Sequence, residues 1–313
     1  MKMKFGILSS AVIATALALT GCAGANNAAS TDPGAASSKV NVTVSAYPLQ
    51  FLAERIIGTA GTVTNLTAPG QEPHDLELSA KQIAEMSSTD ALFYIANFQA
   101  AVDEAIKTSP PKIAVDVSSG LTLLTAGEDG ADSGGELPAT AIDPHIWLSP
   151  ANMATMAHTM SAALSTAKPE LAATFQTNTD KLVADLTGLK DSFTTGLKTC
   201  DRTQFITSHA AFGYLAHEFG LTQVPIAGLD PTEEPTAARI AAVQALAKKY
   251  GVTTIFFETL VSNAVAKSIA GDLGLKAAVL DPIEGITPTS AGTDYIQVMQ
   301  SNLTALQEAN GCK

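Results

Sequence analysis

The chain has 313 residues, 46% of them apolar, so it can bury a sizeable core and is not a disordered polymer. It carries 18 basic against 30 acidic side chains, a net charge of −12. A surface this acidic repels phosphate backbones, which argues against a nucleic-acid partner, but it does not repel cations.

Residues 1–21 read as a targeting segment. Lys2 and Lys4 precede a nearly continuous apolar run over 5–19, too short for a comfortable transmembrane helix. Leu19-Thr20-Gly21-Cys22 then resembles the bacterial lipobox. The resemblance implies cleavage before Cys22 and lipidation of that cysteine, anchoring the chain to the cell membrane on its extracytoplasmic side. An ordinary signal peptide with a chance cysteine is the alternative. Residues 22–38, rich in Ala, Ser, Asn and Gly, read as a flexible tether. Two cysteines remain, Cys200 and Cys312. In an oxidising compartment an even pair suggests a disulfide, with buried free thiols or a pair of metal ligands as the other readings. A bridge would staple the C-terminus to the start of the second half, worth ~4–5 kcal/mol on the chain-entropy account.

The mature part begins with a β-branched alternating strand at 40–44, followed by helical spacing over 47–57 and a second short strand at 63–66. A helix over 78–86 has Ser79 as its expected cap. Short apolar runs at 91–95 and 113–117 read as buried parallel strands around a helix at 98–106. This β-α-β-α-β order predicts a parallel sheet covered by helices. Residues 120–141, acidic and glycine-rich, read as a solvated surface insertion.

A helix over 152–164 follows, with Met153, Met156 and Met160 on a core-facing stripe. Pro169 opens a longer one, whose stripe runs Leu171, Phe175, Leu182, Leu186, Leu189, Phe193, Leu197 with a gap after Phe175. At 1.5 Å per residue that is a strut of ~40 Å between two lobes. The second half repeats the α/β rhythm, with strands at 204–207, 224–227, 253–257 and 277–280 and helices at 211–219, 236–250, 262–273 and 295–309. The expected organisation is an N-terminal lobe over 39–165, a linking helix over 166–198 and a C-terminal lobe over 199–313.

Four turns share a design. Glu72-Pro73-His74-Asp75, Asp143-Pro144-His145-Ile146-Trp147-Leu148-Ser149-Pro150, Thr207-Ser208-His209-Ala210 and Leu280-Asp281-Pro282 each present a metal-ligating side chain between regular elements. The carboxyl edge of open α/β sheets is where ligands bind. His74, His145, His209 and Asp281 are therefore expected to meet at one ion, two from each half, in the cleft between the lobes. Three imidazoles suit Zn²⁺, while Mn²⁺ or Mg²⁺ would want more oxygen; copper and nickel are not excluded by ligand type. Asp143, Glu72, Asp75 and Glu258 are candidates to accept an imidazole N–H. His158 and His217 lie on helices and are read as ordinary surface residues.

These motifs, with Pro69-Gly70-Gln71 before the first and Ala211-Phe212-Gly213-Tyr214 after the third, resemble the metal-site motifs of the zinc- and manganese-binding lipoproteins of bacterial ABC importers. The resemblance covers nearly the whole mature chain. It implies two α/β lobes joined by one long helix, Zn(II) as transported ligand, an ABC importer permease as partner, and a monomer that is not an enzyme. Manganese members of that family usually carry a carboxylate where this chain has His209, so histidine points to the zinc branch. The His-rich loop of many zinc members is absent from 120–141. A manganese carrier is the nearest alternative. A surface adhesin has no support in the residues. A zinc hydrolase is disfavoured, because a fourth protein ligand leaves no position for water and no His-Glu-x-x-His helix is present.

Overall fold

The structure, a computed structural model, describes residues 39–125 and 141–313; the leader, Cys22, the tether and the acidic run 127–136 lie outside the described residues. Four strands, β1 (Val40–Val44), β2 (Gly61–Asn65), β3 (Ala91–Tyr94) and β4 (Ala114–Asp116), form a parallel sheet in the order β2-β1-β3-β4. A second parallel sheet is built from β5 (Gln204–Thr207), β6 (Thr222–Pro225), β7 (Thr254–Phe257) and β8 (Lys276–Val279), in the order β6-β5-β7-β8. The two halves are thus alike in topology, as their rhythm predicted. Each sheet reverses its winding direction beside its first strand, which opens a crevice at the carboxyl edge.

Helices α1 (Tyr47–Ile57), α2 (Ala80–Ser88), α3 (Ala100–Thr108) and α4 (Pro150–Ala167) belong to the first half. Ser79 caps α2 in a reciprocal box with Gln82, two orphan N–H groups being satisfied at once. Met153, Met156 and Met160 of α4 are fully buried. After a 3₁₀ turn at Pro169–Leu171 comes α5 (Ala172–Gly196), 25 residues long. The gap in its apolar stripe is filled by Thr179, which is fully buried and donates its hydroxyl to Phe175 O at 2.7 Å. A β-hydroxyl residue hides in a helix core only when its own preceding turn supplies the acceptor.

The second half adds α6 (Gly213–Phe219), α7 (Ala237–Tyr250), α8 (Ala264–Leu273) and α9 (Tyr295–Asn310). Strand β6 begins and ends two residues earlier than the apolar run suggested; its alternate residues donate to β5, Thr222 N–H to Thr203 O at 2.9 Å and Ile226 N–H to Thr207 O at 2.8 Å, so Pro225 sits on the open side of an edge strand, where no N–H is needed. Cys200 and Cys312 form a disulfide that closes a separation of 112 residues.

Helix α5 touches both halves. Asn178 donates to Ile56 O of α1 at 3.0 Å, and Gln307 of α9 donates to Gly196 O at 3.1 Å. A Cβ at Gly196 would stand 2.5 Å from Gln307 Nε2, so a side chain there would displace this amide from its bond. Buried side chains of both halves, among them Val42, Phe51, Trp147, Phe193, Phe256 and Tyr295, belong to one continuous cluster. Each half also keeps a smaller cluster of its own, around Met86 and Leu92 in the first and around Val243 and Ile255 in the second, but the main core is common to both lobes. Among the described residues no helix is long and apolar enough to cross a membrane.

Candidate metal centre

Three of the four expected ligands converge. His74 comes from the loop after β2, His145 from the turn before α4, and His209 from the end of β5. Their partner is Glu284, not Asp281: one ligand atom from each of His74, His145, His209 and Glu284 lies within 4.8 Å of all the others. The Nε2 atoms of His74, His145 and His209 stand 3.5, 3.3 and 3.5 Å from Glu284 Oε1. His74 Nε2 and His145 Nε2 are 3.3 Å apart. These spacings exceed ordinary N–H···O hydrogen bonds. A tetrahedral ion with bonds of about 2.0–2.1 Å holds its ligand atoms roughly 3.3–3.4 Å apart. Four of the six spacings among these ligand atoms therefore match the edges of a zinc-sized tetrahedron. His209 Nε2 and both Glu284 oxygens are buried without a hydrogen-bond partner, a costly arrangement that a cation would relieve.

Asp281 lies three residues before Glu284 and turns to other partners. Its carboxylate accepts the Ile283 N–H at 2.8 Å and the Thr259 hydroxyl at 3.2 Å, and its backbone is clamped by Asn302 of α9 at 2.9 and 2.7 Å. Burial pushes its pKa up to about 6, against the opposing pull of those two donors. Asp281 thus builds the turn that presents Glu284. The turn passes through Ile283 at φ 60°, a left-handed conformation that a β-branched residue rarely takes. Such strain costs about 1–3 kcal/mol and persists only where neighbours over-determine it. Here Asp281 holds one side, and Trp147 Nε1 donates to Pro282 O at 2.7 Å on the other. Tyr295 in turn donates to Trp147 O at 2.7 Å.

The tryptophan two residues after His145 thereby ties its turn to the Glu284 turn of the other half. Trp147→Phe should leave the Pro282 carbonyl buried and unpaired, costing about 1–3 kcal/mol of stability in denaturant unfolding. Unchanged unfolding would mean that the tie is not used.

Two of the four candidate supporting carboxylates hold rings. His145 Nδ1 lies 2.7 Å from Asp143 Oδ1, and His209 Nδ1 lies 2.8 Å from Glu258 Oε1. Each carboxylate accepts the hydrogen bond from Nδ1–H and leaves Nε2 aimed at the centre. Glu72 instead accepts the His74 backbone N–H at 3.0 Å; burial, then repulsion from Glu284, pushes its pKa up to about 8. Asp75 is exposed, as are His158 and His217. Burial pushes the His145 ring down, but the Asp143 carboxylate and then Glu284 leave it raised. The same opposition, with Glu258 and Glu284 against burial, holds His209 well above the usual histidine range. Burial would raise Glu284, yet the surrounding imidazoles hold it well below the usual carboxylate range. The centre is thus an ionised carboxylate enclosed by imidazoles. His74 is its most open member, with 9% of its side chain exposed against 1% or less for the other three.

The zinc-binding protein AdcA of Streptococcus pyogenes is 37% identical over 289 residues, which cover 87% of this chain and 56% of that protein. The chain therefore spans little more than half the length of the AdcA relatives it matches. The high-affinity zinc uptake system protein ZnuA of Bacillus subtilis is 32% identical over 279 residues, covering 87% of this chain and 88% of its own. The crystal structure of the Zn(II)-bound ZnuA-like domain of Streptococcus pneumoniae AdcA superposes with a TM-score of 0.74 at 33% identity, over 87% of this chain and 99% of that one. Residues 42–309 match the periplasmic zinc-uptake complex component A family, ZnuA, and the chain belongs to that family.

Proposed function

We propose that this protein captures Zn(II) outside the cytoplasmic membrane and passes it to an ABC importer, with His74, His145, His209 and Glu284 as the ligands. The observation that carries the reading is the spacing of the three Nε2 atoms about Glu284 Oε1, 3.3–3.5 Å. Three imidazoles and one carboxylate, buried and supported from behind by Asp143 and Glu258, suit zinc better than an ion that prefers oxygen. With all four corners supplied by the protein, no position is left for a reactive water, which favours carriage over hydrolysis. The names of the AdcA and ZnuA relatives point the same way. In this reading Cys22 carries the lipid that tethers a monomer to the membrane surface, and the lobes divide at 39–165 and 199–313 about the linking segment 166–198.

Calorimetric titration of the metal-free chain should give one zinc per chain, and excess Mn²⁺ should fail to displace it. A stoichiometry of two, or displacement by manganese at comparable concentration, would sink the assignment.

A further inference from the structure

The two carboxylates that hold ligand imidazoles are themselves held differently. Among the described residues, Asp143 Oδ1 is engaged by His145, by its ring at 2.7 Å and its backbone N–H at 2.9 Å. Glu258 Oε1 takes His209 Nδ1 at 2.8 Å and also the Ser208 hydroxyl at 2.6 Å, while Oε2 has no hydrogen-bond partner. Among the described residues, the Ser208 hydroxyl is thus the one donor besides the ring that fixes this carboxylate.

Glu258 is 3% exposed and His209 1%, but Ser208 is half-buried. Ser208 lines a groove of about 340 Å³ together with Ile226, Pro231, Glu233, Val261 and Val265. Glu233 and Val265 are exposed, so the groove opens to solvent. A row of side chains therefore runs from the centre, through His209 and Glu258, to Ser208 at the edge of a wet groove. The backbone around it is rigid. The Ser208 carbonyl accepts from Ala227 N–H at 2.8 Å, and the His209 carbonyl takes Thr207 Oγ1 at 2.7 Å and Gln223 Nε2 at 2.8 Å. What is left adjustable is the Glu258 side chain, and the Ser208 hydroxyl sets it.

We propose that Ser208 is a positioning residue for zinc retention: its hydroxyl holds Glu258 in the orientation that aims His209 Nε2 at the ion, and keeps groove water from competing for that carboxylate. The inference rests on the reading of His209 as a zinc ligand. Partners one step behind a ligand typically change metal affinity by about 10–100-fold, and a hydroxyl one step further back belongs at the lower end.

The test is the rate of zinc release to a chelator from the purified full chain, compared among wild type, Ser208→Ala and Ser208→Thr. Ser208→Ala should release zinc about tenfold faster, and Ser208→Thr, which keeps the hydroxyl, should return to within about twofold of wild type. In the Co(II)-loaded chain, the visible d–d bands should shift in Ser208→Ala and return in Ser208→Thr. Equal release rates for Ser208→Ala and wild type overturn the proposal, and so does an acceleration that Ser208→Thr fails to reverse. A wild-type chain that does not retain zinc overturns instead the reading of the site on which this rests.

Discussion

Replacing Glu284 by Ala should weaken zinc binding by a few hundredfold, whereas Asp281→Asn should stay within about tenfold of wild type. The first figure follows from sharing the roughly 10–16 kcal/mol of a four-ligand zinc site among its ligands, about 2.5–4 kcal/mol each. The second follows from the role of Asp281. Its carboxylate accepts the Ile283 N–H and the Thr259 hydroxyl. An asparagine keeps an oxygen for the first of these and removes nothing from the tetrahedron, so its cost falls on the turn and reaches the ion only indirectly. The measurement is a competition titration of both variants against a zinc chelator, with circular dichroism to check folding. Equal losses in the two variants would return the fourth corner to Asp281.

Zinc affinity should also fall steeply as pH drops from about 7, by up to about 100-fold per unit once two rings must each release a proton. Burial lowers both His145 and His209, but Asp143 and Glu284 on one side, Glu258 and Glu284 on the other, leave both raised above 6.5 in the metal-free chain. Zinc takes the neutral ring, so below those raised values it displaces protons. Glu284, held low, remains ionised across this window and adds none. The stability of the metal-free chain runs the other way. A group whose folded pKa is raised contributes stability that is full below its unfolded value of about 6.5 and is lost as pH rises through the folded value. The melting temperatures of loaded and empty chains should therefore approach one another on acidification. Calorimetry at pH 6 in buffers of different ionisation enthalpy counts the protons; release of fewer than one would refute the electrostatic picture of the centre.

Much of this centre was legible in the chain. Each of the three histidines sits in a short turn where a strand or a proline breaks the regular pattern, and all three arrive at the centre. Asp143 and Glu258 were two of four plausible supporting carboxylates, and geometry selected them over Glu72 and Asp75. Glu284 was missed because two carboxylates occupy one turn three residues apart, and the better-known motif carries the aspartate. Glu284 is the one that reaches the three imidazoles, and the turn that brings it there passes through Ile283 at φ 60°. Isoleucine gives no warning of that, since glycine or asparagine is the expected residue there. The remaining hint was weak: a glutamate placed before Gly285, close behind the Leu280-Asp281-Pro282 motif. The gap in the α5 stripe was visible but what fills it was not, because threonine reads as polar until its hydroxyl is seen bonded to the turn before it.

The shared interior has a consequence for handling this protein. A fragment ending near residue 165 would leave Trp147, Met156 and Met160 facing water where Phe193, Phe256 and Tyr295 now lie in the same cluster. Neither half should survive recombinant production by itself, and heating the whole should give one cooperative transition instead of two.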